Sequence, residues 1–308
     1  MRGSPAQREY RDWACDSRHW AHYRPRPTDI VISTYPKSGT TWMQRIVGML
    51  VFQSAEPMPL HQISPWPDRR FTYSIEAMTE QLEAQTHRRF MKAHLPFDAL
   101  PIYDQVKYVH VARDGRDVSM SWHNHHQGYS ADFIAELRQI GLDDPLLGRP
   151  YPEWLPHPAD EFHRWLTESV IPGHEDGLPN PSYFRFEETW WDACGRDNVW
   201  LVHFNDLKQD LEAQIARLAA FLNIEVSAPL LREIAEAADF GAMRRDGPKL
   251  NPHARRVFER GSDQFYNRGT NQRWVGLFRE ADLELYQRKL DQLDPALADW
   301  LQHGGATD

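Results

Sequence analysis

The chain has 308 residues, 41% of them hydrophobic, which is ample for one large α/β domain with a real core and too apolar for disorder by composition. A formal net charge of −9 excludes a general affinity for nucleic-acid backbones, although a local basic loop can still hold a small anion. Cys15 and Cys194 are the only cysteines, so a disulfide framework is excluded and a reducing, cytoplasmic setting is expected; no apolar run is long enough for a membrane helix, and no signal-peptide pattern opens the chain.

In chain order, residues 1–28 read as a polar, proline-punctuated arm that Trp13 and Trp20 pack onto the body, with 29–308 as a single domain. Asp29–Thr34 predicts a short buried strand, since Ile30, Val31 and Ile32 run without alternation, as in a parallel sheet. Trp42, Ile46, Met49 and Leu50 share one face of a helix from Thr41 to Gln53. Residues 54–72, rich in Pro, Ser and His, read as a long loop of the kind that often carries function. A helix over 74–85 follows, then strands at Arg89–His94 and Lys107–Ala112 and a helix from Asp114 to Asn124. Residues 126–158 mix Gly, Pro and aromatics around a short helix near 131–140. Helices at Asp160–Val170 and Ser182–Cys194, a strand at Val199–Phe204 and helices at Leu207–Asn223 and Ala228–Ala238 come next. Residues 239–273 read as irregular, and Ala281–Gln292 as a final helix. Strands alternating with helices imply an α/β protein, a P-loop-type three-layer fold whose central parallel sheet is flanked by helices.

The segment Tyr35-Pro36-Lys37-Ser38-Gly39-Thr40-Thr41-Trp42 lies between the first strand and the first helix. Gly39 permits a tight turn. The N–H groups of Ser38, Gly39, Thr40 and Thr41, at a helix N-terminus, would face an anion, Lys37 adds a mobile positive charge, and Thr40 and Thr41 add hydroxyl donors. An ordinary capped turn would use similar residues. The order differs from the triphosphate-binding G-x-x-x-x-G-K-[ST], because here Lys precedes a lone Gly, and no acidic strand end follows to hold magnesium.

Lys92 and His94, two apart on a strand, project to one face. A His near neutrality suits taking a proton from a hydroxyl, and an adjacent Lys suits neutralising charge on a transferred group; a lone strand His is otherwise a core residue. Arg113, just past the third strand, can fork onto a phosphate at the carboxyl end of the sheet, and Ser121 lies about two helical turns on. The residues His123, His125 and His126 lack Cys or carboxylate neighbours at metal-ligand spacing, so no metal is expected.

The run YPKSGTTW resembles the 5′-phosphosulfate-binding motif of the cytosolic sulfotransferase family at all eight positions. Met91-Lys92-Ala93-His94-Leu95-Pro96 resembles the family's K-T-H-L-P segment, and Val111-Ala112-Arg113-Asp114 through Ser121 its V-A-R-[ND]-x-x-D-V-x-x-S motif. Asn267-Arg268-Gly269 through Trp274 resembles R-K-G-x-x-G-D-W, with Asn267 where Arg is usual and Gln272-Arg273 where Gly-Asp is usual; Phe240 and Met243 resemble an F-x-x-M segment. The resemblance implies a sulfotransferase moving a sulfuryl group in line from 3′-phosphoadenosine 5′-phosphosulfate (PAPS) to a hydroxyl of a small phenol or alcohol, without a metal. It implies His94 as base and Lys37 and Lys92 as charge stabilisers. Lys37, Ser38, Gly39, Thr40 and Thr41 would hold the 5′ end. Arg113, Ser121, Asn267, Arg268 and Gly269 would hold the 3′-phosphate, and Trp42 and Phe240, with Met243, the adenine. Phe204 stands where many members carry a nucleotide-contacting Tyr and is not counted among the site residues.

The acceptor pocket is expected from loops at 61–72, 125–158 and 241–258, which bring Trp66, Phe71, Tyr73, Tyr129, Tyr151 and Trp154. Partners are therefore a small acceptor, with neither nucleic acid nor membrane insertion expected, and no dimer signature is visible near 274–284. Two rival readings are a nucleoside-kinase-like phosphotransferase, which needs a magnesium-holding carboxylate, and a non-catalytic relative that binds adenosine 3′,5′-bisphosphate, which would not need to retain Lys37, Lys92 and His94.

Overall fold

The computed structural model describes residues 2–71 and 74–307. Among the described residues six strands form, β1 (Gly3–Ser4), β2 (Ile30–Ser33), β3 (Phe90–Ala93), β4 (Ile102–Tyr103), β5 (Lys107–Ala112) and β6 (Val199–His203). The central sheet is wholly parallel in the order β3-β2-β5-β6, and β1 pairs antiparallel with β4 at the periphery. Alternate residues of the sheet feed two cores. Val31, Met91, Ala93 and Tyr108 face one side with Tyr35, Trp165 and Trp190, while Ile30, Ile32, Phe90, Val109 and Val111 face the helix Thr40–Phe52 on the other. Burial on both faces is why these strands read as unbroken apolar runs. From β2 the chain leaves first to one neighbour, β3, and later returns to the other, β5, which opens a crevice beyond their carboxyl ends.

The arm over residues 2–28 is tied down by specific contacts. Tyr10, Trp20 and Tyr23 join a core, and the Tyr23 hydroxyl donates to Asp29, which is fully buried against Arg89. Five sequence expectations shift. The helix expected at Leu207–Asn223 is two, Phe204–Gln209 and Leu211–Phe221, because Asp210 is extended and caps the second by accepting the Ala213 N–H. Phe204 opens a helix rather than closing a strand, since the His203 side chain caps at that point. The loop over 54–72 contains a turn of helix at Leu60–Ile63. The irregular 239–273 contains four short helices, Phe240–Arg245, Gly247–Leu250, Ala254–Val257 and Ser262–Phe265. Ala281–Gln292, observed as Glu280–Leu290, is not the last helix: Asp294 caps Pro295–His303, with proline in its first turn.

Candidate active site

The crevice holds a cavity of about 620 Å³ into which every sequence motif except Ser38 contributes wall. The loop after β2 is tightly wound: Gly39 has φ 127° and Lys37 is left-handed at φ 76°. A side chain at Gly39 would press on Val111 and Phe204. The N–H of Ser38 is spent on the carbonyl of Tyr35, so it does not face an anion as the sequence suggested. Those of Gly39, Thr40 and Thr41 have no partner among the described residues, as befits a helix N-terminus open to an anion. The Thr34 hydroxyl donates to the Tyr35 carbonyl, so the Thr40 hydroxyl must donate inward to Thr34 Oγ1; Thr40 offers its N–H rather than its hydroxyl proton. Ser38 Oγ is buried without a partner beneath the loop. The free N–H groups of Gly39, Thr40 and Thr41 fit the acidic oxygens of a phosphosulfate.

Lys37 Nζ donates to His125 Nδ1 at 2.8 Å and lies over the Phe265 ring. Burial, then the charges of Lys92 and Arg113, push the Lys37 ammonium down to about 7. Arg113 projects from the end of β5 with its guanidinium held flat. Asn271 Oδ1 accepts from its Nη2 at 2.7 Å and from its Nε at 3.2 Å, the Thr270 carbonyl also accepts from Nη2 and the Lys37 carbonyl from Nη1, and the Phe204 ring packs beneath it at 4.3 Å. Ser121, Phe240, Met243, Asn267, Arg268 and Gly269 line the same cavity. Gly269, at φ 65°, packs so closely on Phe240 that an added methyl would overlap the ring. Trp42 is oriented by its Nε1–H donating to the Ala238 carbonyl and by an edge contact with Phe204. Asp117 accepts the Gln272 N–H at 2.6 Å and so ties the helix after β5 to the 267–274 segment.

Strand β3 stops at Ala93, one residue before His94. The Nδ1–H of His94 donates to the Thr34 carbonyl at 2.9 Å, which leaves the lone pair on Nε2. Burial, then Lys92, holds this imidazole well below its usual range and therefore neutral. The Lys92 ammonium sits 3.9 Å from the Trp66 ring centre, and burial with the Arg69 charge lowers it to about 8. Sequence reasoning missed Asp68. Its Oδ2 accepts from the His94 N–H and the Trp66 Nε1–H, and its Oδ1 from the Trp20 Nε1–H, so one buried carboxylate joins the arm, the 61–71 loop and the histidine. Also missed were His125, Asn271 and Phe204 as site residues, and the cation Lys208, which stands in the cavity wall with Arg273. The charge of Arg273 acts on Arg113 and Arg268. Asn267 and Arg273 were both visible in the sequence, but the direction of Arg273 was not.

Beyond His94 the wall becomes aromatic. Trp66, Phe71, Tyr129 and Tyr151 line it as expected, while Tyr73 lies outside the described residues. Trp154 is absent from the wall; it sits behind, donating to His123 and packing on His126, which in turn bonds Tyr151. The three histidines thus have three different partners, Trp154, Lys37 and Tyr151. Two segments not anticipated complete the wall: Asp12 to Cys15 of the arm, and Pro179 and Asn180.

Residues 27–298 match the family described as the sulfotransferase domain. The chain is 32% identical to a glycolipid sulfotransferase of Mycobacterium bovis, over 96% of its own length and 94% of the relative's, and equally so to one of Mycobacterium tuberculosis. Human sulfotransferase 1E1 is 24% identical over 92% of this chain and 89% of its own. In fold, the chain is similar to retinol dehydratase in complex with retinol and PAP (TM-score 0.67, 22% identity, 90% and 85% covered) and to mouse sulfotransferase SULT7A1 with PAP (0.62, 19%, 92% and 93%). The chain belongs to the sulfotransferase family. The enzyme class and donor implied by its motifs stand with that: it is a sulfotransferase that draws on PAPS.

Proposed function

We propose that this enzyme transfers the sulfuryl group to a hydroxyl of a small phenol or alcohol, with His94 as general base, and that residues 29–308 work as one catalytic domain braced by the 1–28 arm in the cytoplasm. What carries the reading is the His94 hydrogen bond to the Thr34 carbonyl, which leaves Nε2 as a proton acceptor in the cavity wall shared with the phosphate loop. Bound PAPS supplies a sulfuryl group on a bridging oxygen that departs with the bisphosphate. His94 Nε2 takes the proton of the attacking hydroxyl as its oxygen bonds to sulfur. Lys37 and Lys92 neutralise charge on the bridging and sulfuryl oxygens, Lys37 giving up its bond to His125 to do so. Gly39, Thr40 and Thr41 hold the 5′ end, with Ser38 shaping the loop behind them, and Arg113, Ser121, Arg268 and Gly269 hold the 3′-phosphate. Asn267 brings no charge there, and Arg273 supplies it instead. Trp42 and Phe240, with Met243, enclose the adenine.

The aromatic wall suits an acceptor with a flat or apolar body. The mycobacterial relatives are named for glycolipids, whose hydroxyls fall within this acceptor class. A radiolabelled-donor screen over phenols, steroid alcohols, alkanols, glycolipids and amines tests the reading. Label moving to a hydroxyl, undiminished by a chelator, is expected; label moving only to amines would overturn the hydroxyl assignment. The same screen with labelled ATP separates the phosphotransferase reading, and tight bisphosphate binding without any transfer would favour the non-catalytic one.

A further inference from the structure

The guanidinium of Arg113 is bonded along two edges, and the two differ in strength. On the side edge, Nε and Nη2 converge on Asn271 Oδ1 at 3.2 and 2.7 Å. At the end, Nη1 reaches the Lys37 carbonyl and Nη2 the Thr270 carbonyl, each at 3.3 Å, beyond the usual range of an N–H···O bond. Arg113 and Thr270 stand in the cavity wall, whereas Asn271 and Asn205 do not line it. The Asn271 amide is itself held from behind. Its Nδ2 donates to Asn205 Oδ1 at 2.6 Å, and Asn205 Nδ2 donates to the His303 carbonyl at 3.2 Å. A carbonyl at one end of this chain and a guanidinium at the other admit one orientation of both amides. Each donor therefore faces an acceptor, from the helix Pro295–His303 through the start of the helix Phe204–Gln209 to Arg113. Asp117, accepting the Gln272 N–H at 2.6 Å, pins the backbone beside Asn271.

A phosphate oxygen arriving at Arg113 takes over its weakest partners first. The two carbonyls at 3.3 Å yield the Nη1–Nη2 end, a fork that suits two phosphate oxygens, while Asn271 keeps the side edge. The frame is also neutral. All four bonds go to amide or carbonyl oxygens, so no bonded carboxylate draws the charge of Arg113 away from the nucleotide. Resting on the assignment of Arg113 to the 3′-phosphate above, we propose that Asn271, oriented by Asn205, is a positioning residue that presents the end of Arg113 to the 3′-phosphate and so sets the preference for a 3′-phosphorylated nucleotide. It acts from behind the wall, through Arg113 alone.

The test titrates adenosine 3′,5′-bisphosphate and adenosine 5′-phosphate into each variant by calorimetry. Asn271→Ala should weaken the bisphosphate about tenfold and leave the 5′-phosphate within about twofold. Asn271→Asp, nearly the same shape, should weaken the bisphosphate more, about thirtyfold, because a carboxylate on the side edge pairs with the guanidinium and repels the phosphate. A merely structural asparagine gives the opposite order, the isostere being the milder change. Asn205→Ala, one bond further back, should cost about threefold. In an Arg113→Ala background, adding Asn271→Ala should change bisphosphate affinity by less than about twofold, since nothing is left to position. Thermal melting of the same samples reports folding, and Asn271→Asp decides if Asn271→Ala does not fold. Equal losses for both nucleotides, a milder effect in Asn271→Asp than in Asn271→Ala, or full additivity with Arg113→Ala overturns the inference. Equal loss of both nucleotides in Arg113→Ala itself would instead overturn the 3′-phosphate assignment beneath it.

Discussion

The two ends of the cavity are built on different principles. The nucleotide end comes from short contiguous runs at the carboxyl ends of β2 and β5, where backbone N–H groups, Gly39 and Arg113 follow from the sheet itself. The acceptor end is assembled from segments far apart in sequence: Asp12 to Cys15, the 61–71 loop, the stretch around Tyr129 to Tyr151, and Pro179–Asn180. Backbone-made binding tolerates little change and serves any member of the family, whereas side-chain-made binding can be rebuilt from loops without touching the chemistry. Mutations at the first end should therefore act on nucleotide affinity whatever the acceptor, and mutations at the second on acceptor choice alone.

The strongest way to break that division is at Arg113. Arg113→Ala should weaken adenosine 3′,5′-bisphosphate about a hundredfold while adenosine 5′-phosphate, which lacks the 3′ group, loses little, as read by calorimetry. An equal loss for both nucleotides would mean that Arg113 supports the fold rather than the 3′-phosphate. Lys37 gives a pH signature. Free, its ammonium titrates near about 7, and a bound anion must raise that value. Affinity should hold steady below that pH and fall by up to about tenfold per pH unit above it, until the raised value of the complex is passed. Proton uptake on binding at pH 8, seen by comparing buffers of different ionisation enthalpy, checks the sign; Lys37→Met should abolish it. Arg273→Ala should cost less than Arg113→Ala, about fivefold in bisphosphate affinity, because Arg273 is half-exposed and contributes charge without the fixed hydrogen-bonded frame of Arg113. The smallest nucleotide effect is expected at Phe71. Phe71→Ala should raise the acceptor KM about fivefold or more with bisphosphate affinity unchanged, a split that steady-state kinetics and calorimetry read together.

How much of this was legible in the sequence follows the same division. The strand–loop–helix at Ile30–Phe52 and the Arg113 motif could be read because the residues that make them are neighbours in the chain. The phosphate loop concealed two details, the Ser38 N–H turned into the loop and the Thr40 hydroxyl turned toward Thr34, since each depends on which way a single bond rotates. Asp68 could not be found, although it anchors His94, Trp66 and Trp20 together, because an aspartate in a proline-rich loop looks solvated until three N–H groups converge on it. The bond between Lys37 and His125, 88 residues apart, is likewise a tertiary fact. The helix ends that moved, at Asp210 and Asp294, had their signals in plain view as capping residues.

The most direct measurement is a single-turnover experiment with radiolabelled PAPS pre-bound to wild type and to His94→Ala, mixed with an excess of an accepted alcohol. Removing the base should slow sulfuryl transfer about a thousandfold while the bisphosphate dissociation constant stays within about twofold of wild type. Transfer at the wild-type rate in His94→Ala would contradict the account.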